Sequence, residues 1–107
     1  MEKYLVKATK EYLTLLQKQG KLYYIRNNTG AIPINGRFVR FGNKGSSDYI
    51  IFFKDGQTVF CECKSKSKSA KLSPAQEDFK NTIRALGYKF YVVRDMAEVE
   101  SLVKENI

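Results

Sequence analysis

Phe60-Cys61-Glu62-Cys63-Lys64, read together with Ser47-Asp48 shortly before it, is the stretch from which the fold follows. Its residues continue a run of β-formers and read as the end of a strand. Successive side chains of a strand point to opposite faces. Glu62 and Lys64 therefore share one face, and Cys61 and Cys63 share the other. A carboxylate beside an ammonium at a strand end, with an aspartate on the strand before, suits metal-assisted hydrolysis of a phosphodiester.

The connection between the two strands fixes how the acids meet. Asp55-Gly56 between two β-rich runs marks a tight hairpin. A two-residue loop would set Asp48 opposite Cys63, on the wrong face from Glu62. A three-residue loop, Lys54-Asp55-Gly56 with Gly56 left-handed, shifts the pairing by one and sets Asp48 opposite Glu62. Two carboxylates so placed repel by roughly 3 kcal/mol at an effective dielectric near ~20. Sheets avoid such pairs unless a cation lies between them. Lys64 offsets part of that repulsion, and Mg²⁺ or Mn²⁺ would offset more.

Outward from this hairpin the elements follow in order. Residues 2–19 read as a helix, with Leu5, Ala8, Tyr12, Leu15 and Leu16 as its apolar stripe and Gly20 as its end. Leu22 to Arg26 reads as a strand, 27–35 as a loop and Arg37 to Phe41 as a short strand. Asp48 to Phe53 is a strand whose Ile50-Ile51-Phe52-Phe53 run is apolar on both faces, which places it centrally. Strand 57–64 is followed by an exposed basic loop to Lys71. Ser73-Pro74-Ala75-Gln76 is a capping-box helix start. That helix runs to Leu86, strand 88–93 follows, and Asp95 caps a last helix over 96–105. Strand, helix and strand over 57–93 form a right-handed parallel βαβ unit. The expectation is a single α/β domain over 1–107, a mixed sheet flanked by helices.

Composition narrows the chemistry. The chain has 107 residues, with Lys+Arg 19 against Asp+Glu 11, a formal charge of +8. That surplus favours an acidic partner, most simply nucleic acid. There is no histidine, which removes Ser-His-Asp, Cys-His and histidine-metal mechanisms. Two cysteines without histidine do not complete a zinc site. They stand two apart on one strand face, as core residues rather than a disulfide. No apolar run reaches the ~20 residues of a membrane span. With no signal-like N-terminus, a reducing cytoplasm (bacterial or phage-infected) is expected, with no membrane partner and no organic cofactor.

Gly45-Ser46-Ser47-Asp48, then Glu62-Cys63-Lys64, then Leu72-Ser73-Pro74-Ala75-Gln76 and Gly87, closely resembles the VRR-NUC family. This is the virus-type replication-repair branch of the PD-(D/E)XK nuclease superfamily. Arg26-Asn27-Asn28-Thr29-Gly30-Ala31 and Arg37-Phe38-Val39-Arg40-Phe41-Gly42 extend the resemblance over nearly the whole chain. It implies a restriction-endonuclease-like fold and a Mg²⁺- or Mn²⁺-dependent DNA endonuclease. It implies Asp48, Glu62 and the carbonyl of Cys63 as metal ligands, Lys64 as catalytic lysine, and Gln76 beside them. It also implies Glu2, as the N-terminal helix glutamate, for a further metal ligand. The residues alone do not choose between Glu2 and Glu11, since both lie ~90° from the stripe's centre. Ser47 stands where the superfamily's name has proline. Short stand-alone relatives act as homodimers on branched DNA, resembling Holliday-junction resolvases. Arg37, Arg40, Lys44, Lys66, Lys68 and Lys71, on loops flanking the site, are the expected phosphate contacts. The competing reading is a basic module that grips nucleic acid on a nuclease-like fold without cutting. Tyr23 and Tyr24 are expected in the core.

Overall fold

The structure, a computed structural model, describes residues 2–27, 30–41, 45–67 and 69–107; for 30–32 and 38–41 it describes the backbone alone. Four strands form a mixed sheet in the order β1-β4-β5-β6, where β1 is Leu22–Arg26, β4 Tyr49–Phe53, β5 Thr58–Cys63 and β6 Lys89–Val93. The first two pairings are antiparallel and β5 with β6 is parallel. Helix α1 is Glu2–Lys18, α2 is Pro74–Ala85 and α3 is Met96–Asn106.

The alternation of β5 decides which helix lies where. Val59, Cys61 and Cys63 point into a core shared with Leu5, Leu13 and Leu16 of α1 and Val99, Leu102 and Val103 of α3. Each such apolar side chain, fully buried, stabilises by roughly 1.5–3 kcal/mol. Phe60 points to the other face, where it meets Phe79 of α2 edge-to-face at 5.9 Å. Phe79 in turn packs on Phe90 of β6 at 6.1 Å. So α1 and α3 cover one face and α2 the other. The capping box of α2 is present: Ser73 Oγ accepts from the Gln76 amide at 3.2 Å, and the Ser73 amide donates to Gln76 Oε1 at 2.9 Å. Asp95 caps α3 by accepting from the Glu98 amide at 2.9 Å.

Several expectations are corrected. Residues 30–34 are not loop but β2, Gly30–Ile34, paired antiparallel with β3, Arg37–Phe41, as a separate two-stranded sheet. Pro33 is tolerated because both strands of a two-stranded ribbon are edges. Asn35 and Gly36 turn it with φ of 50° and 76°, the pair of left-handed residues a tight hairpin needs. The buried face of α1 is Leu5, Thr9, Leu13 and Leu16, whereas Leu15 is 53% exposed. β4 is central in order, but Phe52 and Ile50 are not fully covered on the α2 face, because α2 packs over β5 and β6. Tyr23 is exposed, while Tyr24 packs on Tyr49 at 5.9 Å.

Candidate active site

The hairpin between β4 and β5 has the three-residue connection Lys54-Asp55-Gly56, with φ of 65° at Asp55 and 75° at Gly56. The Phe53 amide donates to Gln57 O at 2.8 Å across it. Tyr49 then pairs with Cys61, so Asp48, one position earlier, stands opposite Glu62. The Cys63 amide donates to Asp48 Oδ2 at 2.8 Å, which fixes that carboxylate across the strand pair. From the other side Arg26 Nη1 lies 3.5 Å from Asp48 Oδ1 and donates to Asp48 O at 3.0 Å. Its guanidinium sits 5.2 Å from the Tyr49 ring centroid, a stacking that holds the fork in place. Tyr49 is buried, and its hydroxyl donates to Val6 O of α1 at 2.7 Å.

Glu62 is 4% exposed. Burial, then the charge of Asp48 opposite, push its pKa up to about 8 against the opposing pull of Lys64. A buried carboxylate beside a like charge resists ionisation until a cation joins them. Gln76 Nε2 donates to Glu62 Oε2 at 3.2 Å. Gln76 thus caps α2 with its oxygen and meets Glu62 with its nitrogen, and one side chain carries both of the roles open to it.

The Lys64 amide donates to Val93 O at 2.9 Å, while its side chain, 14% exposed, reaches Glu2 Oε1 at 3.9 Å. At ~100° per residue Glu2 lies only ~25° from the centre of the observed buried face of α1, and Glu11 ~155° away. Ala8 and Leu15 had pulled the apparent stripe off centre. Thr9 and Leu13, both 0% exposed, mark where the face is.

Gly45 joins the loop before Asp48 to α2. Its φ is 83°, and a Cβ there would stand 2.3 Å from Ala75 O. Only glycine permits that approach. Neither Gly45 nor Arg26 was singled out from residue type as a site residue. Arg26 was legible in the β1–β4 register, where it pairs with Tyr49 beside Asp48.

Of the expected phosphate contacts, Arg37 is exposed at the start of β3, Lys71 is exposed, and Lys66 lies 3.4 Å from Asp95 Oδ2. Lys44 and Lys68 lie outside the described residues, and the side chain of Arg40 likewise. Lys71 lines a cleft of about 510 Å³ with Leu72, Lys80 and Arg94.

The layered mixed sheet with acids at the β4–β5 end is an α/β architecture of the restriction-endonuclease-like kind. A solved structure described as a VRR_NUC domain is similar to this chain with a TM-score of 0.65, 21% identity, and 99% of this chain and 97% of the other covered. The likeness shows the fold, and it is the fold that the motif resemblance implies. No protein-family model matches the chain, and no curated protein matches it.

Proposed function

We propose that this chain is a metal-dependent endonuclease that hydrolyses DNA phosphodiesters. The carrying observation is the buried Glu62 opposite Asp48, with Lys64 alongside. Facing each other, the two acids cost the fold energy whenever both are charged.

The donor set fits a hard cation. Among the described residues no three or more His, Cys, Asp and Glu side chains gather into a metal-holding group. Asp48 and Glu62 would hold Mg²⁺ or Mn²⁺ with the Cys63 carbonyl, the remaining positions going to water and a substrate phosphate. Such an ion supplies a water of lowered pKa and neutralises charge on the phosphate. The chain does the rest. Arg26 and the Cys63 amide keep Asp48 aimed. Gln76 orients Glu62 through its Oε2. Lys64, held by Glu2 from α1, orients the attacking water or holds a phosphate oxygen. Arg37, Arg40, Lys44, Lys66, Lys68 and Lys71 contact flanking phosphates.

Branched DNA as substrate and a homodimer as the working form are the finer parts of this proposal. The uncovered sheet face supports the second: Tyr23, Ile25 and Phe52 are 58%, 44% and 37% exposed, and Tyr23 pairs with Phe52. A contiguous apolar patch of this kind marks a contact surface.

The test is incubation with a four-way junction, a flap and a linear duplex in Mg²⁺, Mn²⁺ or EDTA, with mass read by light scattering. Metal-dependent cutting is expected, falling at least ~10³-fold in Glu62→Gln and Lys64→Ala. DNA binding by both variants in EDTA is expected to persist. Tight binding without cutting in any metal would leave the non-cutting basic module instead.

A further inference from the structure

We infer that the outer face of α1 is a second nucleic-acid surface, a track for the phosphodiester backbone of a duplex arm leaving the site. The inference rests on the nucleic-acid reading of that site. Lys7 and Lys18 are exposed opposite the buried Thr9 and Leu13, and Lys10 is exposed at the edge of the same face. None of the three pairs with a carboxylate among the described residues. With Glu11, Thr14 and Leu15 they line a groove of about 410 Å³. Glu11 is the one acid in it, so the groove carries a surplus of positive charge.

Lysines three apart on a helix repel each other. Lys7 and Lys10 stand so. A polyanion laid along the face relieves that repulsion and releases its own counterions. The track starts near the site, because α1 begins at Glu2, which meets Lys64; from there it runs along the opposite side of the helix. From Lys7 to Lys18 it spans ~16 Å, the rise of about five base pairs. α1 packs on the sheet face opposite α2, so this track lies apart from the basic loop that precedes α2. Two basic tracks leaving one site on different faces fit a substrate whose arms diverge.

The experiment measures binding in EDTA as a function of salt, for wild type and for the combined Lys7→Gln, Lys10→Gln, Lys18→Gln variant. Probes are a four-way junction with arms of about 25 base pairs, the same junction with arms of about 6, and anionic phosphatidylserine vesicles. The long-armed junction should show the salt slope lowered by about 3 and binding at least ~10-fold weaker at low salt. The short-armed junction, whose ~20 Å arms end before Lys18, should lose less of that slope. Glu11→Gln should bind the long arms more tightly. An unchanged slope overturns the inference, as does an equal loss on both arm lengths, or a loss confined to the vesicles. Because cutting is not read, a wild type that never cleaves DNA would sink the nuclease proposal and leave this result standing.

Discussion

The two ends of β5 and β6 hold two buried polar networks that solve the same problem in opposite ways. At the ends where these strands begin, Asn106 is 6% exposed and fully partnered. Its Oδ1 accepts from Gln57 Nε2 and, at 2.9 Å, from Lys89 Nζ. Its Nδ2 donates to Leu102 O at 2.6 Å and to Tyr91 Oη at 3.2 Å, and the Tyr91 hydroxyl donates to Glu105 at 2.9 Å. Every donor there finds an acceptor, and the knot ties the last turn of α3 to the sheet. At the other end Glu62 and Asp48 present acceptors to each other, and one of them holds its proton to about pH 8. A satisfied network stabilises a fold. Two facing acids that coexist only while one keeps its proton work against it and are kept where something else is gained.

The comparison breaks most visibly with pH. The folded pKa of Glu62, about 8, lies above the ordinary value of 4.5. The native protein therefore holds a proton that the unfolded chain releases. Stability of the metal-free protein should fall as pH rises from about 5 to 8, by at most ~1.4 kcal/mol per unit. Urea unfolding at a series of pH values should show that slope, and Glu62→Gln should abolish it. A slope equal in the variant would mean that the acid pair is not the cause. Mn²⁺ should flatten the slope in wild type only.

Next in size is the opposite end. Asn106→Ala strands Gln57, Lys89 and Tyr91, and should lower stability by about 2–3 kcal/mol. Rates of DNA cleavage well below the melting temperature should not change. A loss of cleavage matching that of Glu62→Gln would erase the distinction between the ends. The smallest effect concerns Gln76, the one neutral amide at the acid end. Gln76→Ala should slow cleavage about 10-fold with DNA affinity unchanged, since its amide nitrogen is bonded to Glu62. If affinity falls and the rate holds, Gln76 is a binding group.

Much of this was legible in the chain. The Asp48–Glu62 facing follows from counting three residues in the turn, and the capping box of α2 from Ser73, Pro74 and Gln76. What escaped was tertiary. Asn35-Gly36 is a hairpin signal in its own right, but Pro33 and Gly30 masked the strand beside it. Thr9 is polar, so its burial beneath Cys63, with Sγ to Oγ1 at 4.0 Å, is not a hydrophobic signal. Hydrophobic spacing without Thr9 sets the inner face of α1 off centre and leaves Glu2 level with Glu11. Gly45 reads as one more flexible residue until α2 is seen against it.

That contact carries a thermodynamic consequence. The loop bearing Asp48 and the first turn bearing Gln76 meet backbone to backbone at Gly45 and Ala75, with no side chain between to yield. They move together or not at all. The groups converging on Glu62 have therefore lost their freedom before anything binds. Ligand capture at this end should show little change in heat capacity and little ordering entropy, because the ordering was done by folding.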